Sequence, residues 1–342
     1  MTKRKGPLRV GVVGVGAFGR HHARVYAEME DVELVAVVDR DPGTRGEAAA
    51  RHGCAGLADP SELPDDLDAV SVAVPTIHHA AVAVPLLLRG VACLVEKPFA
   101  KDLADGEAMV AAAREGGAAL ATGHIERFNP AIRAVGGSNL RPRFLECNRI
   151  APFSFRSADV GVVLDLMIHD LDLVLYLAGS EPVRVDAVGV PVLTPFEDIA
   201  NARIEFRNGC VADITSSRVG TKTERKLRMF STDSYMVLDF AEKRGWTYRK
   251  SPDLTLEKVV ALKAGAKSLS DLKDVVFGDL LKVEPVAIEE NEPLQAELAS
   301  FLSAVRTGGT PEVSGEDGLR ALRLALRVLE AIGENQARAG VS

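Results

Sequence analysis

The sequence predicts an α/β chain: an N-terminal doubly wound parallel sheet, followed by an α+β domain dominated by antiparallel strands. Three observations carry this. Over the first 124 residues, short apolar runs alternate with helical segments, the order of parallel βαβ units. Those runs are almost continuously apolar, as strands covered on both faces require. Beyond residue 180, strand-like runs follow one another with no helix between them.

Residues 8–13 (LRVGVV) read as the first buried strand, 17–28 as a helix and 32–38 as a valine-rich second strand. A short helix over 47–52 precedes a third strand at 69–74. Residues 80–88 are helical, 92–95 form a fourth strand, 103–115 a helix and 118–122 a further strand. The pattern changes near residue 124, dividing the chain into domains 1–124 and 125–342. In the second, 143–150 reads as a strand and 162–177 as a helix ended by Gly179. Strands are expected at 183–192, 199–206, 211–217, 227–230 and 235–240. In the second of these, Ala202, Ile204 and Phe206 alternate with Asn201, Arg203 and Glu205, the signature of a half-exposed antiparallel strand. Asn208-Gly209 then supplies a hairpin turn. Residues 265–281 read as a loop with a short helix, and 292–305 and 315–332 as helices.

Composition narrows the function. The chain has 342 residues, 47% hydrophobic and 26% charged, which is globular and not disordered. A net charge of −7 and 5% aromatic residues exclude nucleic acid as the main partner, since a basic surface and stacking rings are wanting. No apolar stretch reaches the ~18 residues of a membrane span, so no membrane partner is expected. Cys54, Cys93, Cys147 and Cys210 form no CxxC spacing, so they read as reduced thiols of a cytoplasmic chain. No zincin-like His/Asp/Glu spacing is present and no metal is expected. The start, MTKRKGPLRVGVVGVGAFG, has the basic-then-apolar order of a signal peptide, but its five glycines point to a strand and a loop instead.

That loop is Gly14-Val15-Gly16-Ala17-Phe18-Gly19, a full GxGxxG between a strand and a helix. Gly14 permits the tight turn, Gly16 lets backbone approach a pyrophosphate, and Gly19 lets the helix pack close. The helix N-terminus faces the phosphates with its positive dipole end. Asp39 follows Gly19 by twenty residues, at the end of the second strand, where an acid reaches the ribose 2′-hydroxyl. The first domain is therefore a Rossmann dinucleotide-binding unit. Asp39 favours NAD over NADP by repelling a 2′-phosphate, while Arg40 either receives that phosphate or stacks on adenine.

Glu96-Lys97-Pro98 follows the fourth strand at the sheet edge where α/β ligands bind. There Lys97 can donate to a substrate hydroxyl and to the cofactor ribose; a solvated surface lysine is the alternative. The helix over 162–177 is nearly all apolar and should be buried all round. At about 100° per residue, Asp165, His169, Asp172 and Tyr176 share one wedge of roughly 60°, with Asp170 on another face. Asp165 can orient and polarise His169, which suits a general base near neutral pH; a structural Asp–His pair is the alternative. Asp172 and Tyr176 read as structural. His21, His22, His52 and His78 read as solvated or packing residues, and His79, after the third strand in Pro75-Thr76-Ile77-His78-His79, either lines the nicotinamide region or packs.

Together GVGAFG at 14–19, VAVVD at 35–39, AVPTIHH at 73–79, EKP at 96–98 and DLMIHD at 165–170 resemble the Gfo/Idh/MocA family of NAD(P)-dependent oxidoreductases over nearly the whole chain. The resemblance implies Lys97 and His169 as the catalytic pair, with Asp165 assisting. It implies cofactor contacts from Gly14, Gly16, Ala17, Phe18, Gly19, Asp39, Arg40, Pro75, Thr76, His79, Glu96 and Lys97. It also implies an open, mostly antiparallel second sheet used for substrate binding and oligomerisation, as a homodimer or homotetramer. Gly123–Pro130 (GHIERFNP) is most similar to members acting on UDP-linked amino sugars. This implies oxidation of a sugar C3 hydroxyl on the way to a 3-amino sugar of lipid A. His124, Arg127 and Asn129 join Lys97, Asp165 and His169 as substrate-binding candidates, Arg127 through substrate phosphate or else as a structural salt bridge. Two other readings stay open: a dehydrogenase of a free cyclitol or aldose, and a non-catalytic NAD-binding regulator.

Overall fold

The computed structural model describes residues 6–135, 141–154, 160–251, 255, 257, 260 and 280–340. Most of the loop expected at 265–281 lies outside these. The chain divides into two compact units, Met1–Phe128 with Asn291–Leu326, and Asn129–Glu290 with Arg327–Ser342. This differs from two consecutive blocks meeting at residue 124: residues 291–326 return to the first unit. The reason is apolar. Leu294, Leu298, Phe301 and Leu302, on the helix Pro293–Thr307, join the same buried cluster as Val10, Val12, Val37 and Leu94.

The first unit holds six parallel strands, β1 (Leu8–Val13), β2 (Val32–Val38), β3 (Ala55–Leu57), β4 (Ala69–Val72), β5 (Ala92–Glu96) and β6 (Leu120–Gly123). Their order is β3-β2-β1-β4-β5-β6, so the winding direction reverses between β1 and β4. Four helices connect them: α1 (Gly19–Glu28), α2 (Pro42–His52), α3 (His79–Leu88) and α4 (Leu103–Gly116). The continuous apolar strands are buried as expected. The three-residue edge strand β3 is not foreseen in the sequence. Helix α2 begins before residue 47 because its start is capped: the Asp41 carboxylate accepts the Thr44 N–H at 2.7 Å and Pro42 takes the first turn. We expect Asp41→Ala to lower the urea midpoint and Asp41→Asn to retain it, since either cap oxygen accepts that N–H.

The second unit holds an eight-stranded sheet ordered β14-β13-β12-β11-β7-β10-β9-β8. The strands are β7 (Phe144–Ile150), β8 (Pro182–Val190), β9 (Ile199–Phe206), β10 (Val211–Ser217), β11 (Glu224–Phe230), β12 (Ser234–Asp239), β13 (Arg244–Lys250) and β14 (Leu281–Pro285). Only the β7–β10 pair is parallel. Along β9, Ala200, Ala202, Ile204 and Phe206 are buried while Asn201 and Arg203 are exposed, the period-two pattern read from sequence. Gly209, with φ +80°, turns the chain into β10. A short helix, α5 (Pro130–Val135), opens the unit, and α6 (Ile168–Ala178) packs on β7 and β10. Among the described residues no helix is long and apolar enough to cross a membrane.

The helix expected over 162–177 is two pieces. A π turn, Val163–Met167, runs into α6, which Gly179 ends in the left-handed conformation at φ +56°. It is not buried all round: Tyr176 is 45% exposed. Of the four wedge residues only Asp165 lies in the π turn; His169, Asp172 and Tyr176 keep α-helical spacing but differ in exposure. Asp165 and His169 are half-buried, Asp172 is buried, and Tyr176 faces outward. Asp170 is instead a core residue, held by Arg149 of β7 through Nε–Oδ2 at 2.8 Å and Nη2–Oδ1 at 2.9 Å. A paired charge is what burial at that position demands.

Candidate active site

Within the first unit, a cavity of about 810 Å³ lies at the carboxyl ends of β1, β2 and β4. Gly14, Gly16, Ala17, Phe18, Asp39, Arg40 and Pro75 line it, all foreseen from sequence. Asp59, Pro60, Ser61, His78 and Arg89 line it too. His78, read as solvated or packing, stands in the AVPTIHH segment and lines the cavity; Asp59, Pro60, Ser61 and Arg89 lack a motif, and only the fold brings them to this edge.

The three glycines do different work. A Cβ on Gly14, whose φ is +83°, would meet Ala73 O at 2.7 Å; one on Gly19 would lie 1.7 Å from Gly14 O. Both are demanded by packing. A Cβ on Gly16 would meet nothing within 4 Å, so no protein contact asks for glycine there. A ligand approaching the backbone does. Helix α1 starts just beyond, with no side-chain cap and no acidic residue in its first turn, which leaves its positive end suited to an anion. The Asp39 carboxylate accepts the Val15 N–H at 3.0 Å and the Asp41 N–H at 3.0 Å, tying the end of β2 to the glycine loop. These residues fit a dinucleotide: the loop for the pyrophosphate, Asp39 for the ribose.

Gly19, Thr76, His79, Glu96 and Lys97 do not line this cavity. Gly19 lies beneath the loop, and Thr76 starts a 3₁₀ turn, Thr76–His78. His79 is buried, with Nε2 at 2.9 Å from Val74 O and Nδ1 at 3.2 Å from Phe99 O. Of its two readings, these contacts describe the packing one: the ring straps the Val74 and Phe99 loops together. Burial pushes the His79 imidazole below its usual range, although the carbonyls of Phe99 and Val74 oppose this. Lys97, half-buried, stands directly after β5 before a cis peptide bond to Pro98. His22, read as solvated or packing, is buried and bonds Glu96 Oε1 through Nε2 at 2.9 Å.

After β6, His124 is buried and its N–H donates to Thr122 O at 2.8 Å. Arg127 is buried and pairs with Asp317 at 3.5 Å. The salt bridge that was one of its two readings is thus present. Asn129 opens α5, its Oδ1 accepting the Ala131 N–H at 3.1 Å.

In the second unit, the π turn carrying Asp165 is anchored from the segment before β9. Val162 N–H donates to Glu197 O at 2.9 Å and Val163 N–H to Glu197 Oε1 at 3.1 Å. The adjacent Asp198 is fully buried and accepts N–H groups from Val192, Leu193 and Thr194 and the Arg218 Nε–H. Burial opposes its ionisation, but the Leu193 and Thr194 N–H groups and Arg218 outweigh this and hold the carboxyl below the usual range. The four cysteines are free thiols.

A parallel sheet in this strand order, a glycine loop built for a pyrophosphate and an acid directly after the second strand define a dinucleotide-binding protein. Residues 8–124 match the oxidoreductase family with an NAD-binding Rossmann fold, and residues 131–236 match the GFO/IDH/MocA C-terminal domain. The chain belongs to the Gfo/Idh/MocA family, and NAD is its cofactor. It is 37% identical over 326 residues to UDP-N-acetylglucosamine 3-dehydrogenase of Acidithiobacillus ferrooxidans, covering 95% of this chain and 97% of the relative. A solved structure of that enzyme matches with TM-score 0.85 and 36% identity, covering 96% and 98% of the two chains. Inositol 2-dehydrogenase of Rhizobium meliloti is 25% identical, covering 96% and 98%. Levoglucosan dehydrogenase in complex with NADH, at 19% identity and TM-score 0.81 over 96% and 97%, shares the fold.

Proposed function

We propose that this chain oxidises the C3 hydroxyl of UDP-N-acetylglucosamine or a close UDP-linked amino sugar, with NAD. The observation that carries the reading is similarity along almost the full length of both chains to UDP-N-acetylglucosamine 3-dehydrogenase. Bound NAD supplies the hydride acceptor. His169 takes the hydroxyl proton, and Asp165, four residues earlier, orients the imidazole. Lys97 donates a hydrogen bond to the same oxygen and stabilises the negative charge that develops there.

Mixing the protein with NAD and UDP-N-acetylglucosamine should produce the absorbance of reduced nicotinamide. Absorbance with myo-inositol alone would instead support the cyclitol reading, which the inositol dehydrogenase relatives favour. Retention of Lys97, Asp165 and His169 speaks against a non-catalytic regulator. Asp39→Ala should narrow the preference for NAD over NADP about tenfold, equivalent to ~1.4 kcal/mol, in parallel titrations with the two cofactors.

Self-association, as a homodimer or homotetramer, is assigned to the outer face of the second sheet. Phe144, Phe230, Tyr235 and Tyr248 form a continuous row there, with successive ring centroids at 5.7, 4.8 and 4.7 Å. Such a row on a sheet face is the apolar centre that an interface uses. The free thiols fit a cytoplasmic setting, and a 3-keto product fits a precursor of the 3-amino sugar of lipid A.

A further inference from the structure

A buried polar chain in the first unit is used neither by the glycine loop nor by the acid–base residues named above. Tyr26 and His22 lie one turn apart on α1, Ser71 comes from β4, and Glu96 ends β5. The Tyr26 hydroxyl is 2.8 Å from Ser71 Oγ, and Ser71 Oγ is 3.1 Å from His22 Nδ1. His22 Nε2 is 2.9 Å from Glu96 Oε1, and Glu96 Oε2 accepts the Lys97 N–H at 3.2 Å. Tyr26 and Ser71 are fully buried and His22 is 2% exposed. Gly123, ending β6, leaves room for the carboxylate: a Cβ there would lie 3.0 Å from it.

One proton assignment satisfies the whole chain. Tyr26 O–H donates to Ser71 Oγ, Ser71 O–H donates to Nδ1, and Nε2–H donates to the Glu96 carboxylate. The chain ends on an anion, the stronger kind of acceptor. Burial alone would favour the neutral acid, but the hydrogen bond from His22, with the Lys97 N–H and its nearby ammonium, outweighs it and holds the Glu96 carboxyl below its usual range. At its other end the chain stops at a fully buried phenol, so it carries no proton to solvent. It acts as a clamp.

We propose that His22 is a positioning residue: it holds Glu96 as an oriented anion, and Glu96 in turn fixes the Lys97 main chain and keeps the Lys97 ammonium charged. The proposal rests on the role given to Lys97 above. An anion beside an ammonium favours its charged form, so loosening Glu96 should leave a larger neutral fraction of Lys97 at a given pH.

The test reads Lys97 without any sugar. Lysines are labelled with a limiting amine-reactive reagent at fixed pH, and the rate at Lys97 is followed by mass spectrometry. In His22→Ala and in Glu96→Gln, Lys97 should react at least about threefold faster, other lysines keeping their rates. The double variant should be no faster than the faster single, because both changes break one linkage. His22→Gln, whose amide can still donate to Glu96, should stay within about twofold of wild type. An unchanged Lys97 rate in His22→Ala overturns the proposal, as do single effects that multiply in the double variant. Loss of melting temperature with unchanged Lys97 reactivity also overturns it, reducing His22–Glu96 to a packing pair. In turnover, His22→Ala should lower kcat while leaving the KM for NAD nearly unchanged. Wild-type protein inactive on UDP-N-acetylglucosamine would refute the substrate and leave the labelling result standing.

Discussion

Lys97→Ala and His169→Ala should each reduce NAD-dependent oxidation of the sugar by about 10²–10⁴-fold, the usual worth of a positioned acid–base group. The two losses differ in kind. Removing His169 takes away the group that accepts the hydroxyl proton, so the loss should appear in kcat and shrink as pH rises and the hydroxyl ionises more readily. Removing Lys97 takes away a donor to the reacting oxygen, which lowers kcat at every pH. The glycine loop and Asp39, which line the dinucleotide cavity, are untouched in both variants, so NAD affinity measured by fluorescence titration should fall far less than turnover. Asp165→Asn keeps the shape but not the charge, and its smaller loss, roughly tenfold, should track His169. Full turnover in both alanine variants would sink these roles.

Gly19→Ala and Gly16→Ala should separate folding from binding. The Gly19 Cβ would lie 1.7 Å from Gly14 O, a backbone atom that cannot rotate away. The glycine turn must then shift, at a cost of about 1–3 kcal/mol or more. Both the melting temperature and NAD affinity should fall. The Gly16 Cβ meets no protein atom, so the cofactor-free melting temperature should hold. Its methyl would nevertheless stand where a pyrophosphate approaches the backbone, and NAD affinity should drop at least about tenfold. Equal effects of the two variants on the cofactor-free protein would contradict this division of labour.

What could be read from the sequence were properties written in neighbouring residues. The glycine loop, the acid twenty residues on, and the period-two alternation along β9 are local, and the structure keeps them. Partners distant in sequence were not legible. His22 looked like one scattered histidine because Glu96 is far along the chain, and Asp170, placed on another face, had no visible partner until Arg149 was brought beside it. The ion pair that Arg127 makes could not be read either, because Asp317 lies far along the chain. The Asp165–Tyr176 stripe assumed a uniform helix buried all round, but Asp165 lies in a π turn and Tyr176 is exposed. The start of α2 was legible in principle, since Asp41-Pro42 is a cap followed by a first-turn proline.

The return of residues 291–326 to the first unit has a consequence for the chain's birth. The sheet of that unit is complete at Gly123, yet Leu298, Phe301 and Leu302, which share its buried cluster, leave the ribosome about 175 residues later. At about 5–20 residues per second, that is a delay of roughly 9–35 s. Through that interval the nascent chain displays an uncovered apolar flank, and it is then that a holdase has something to grip.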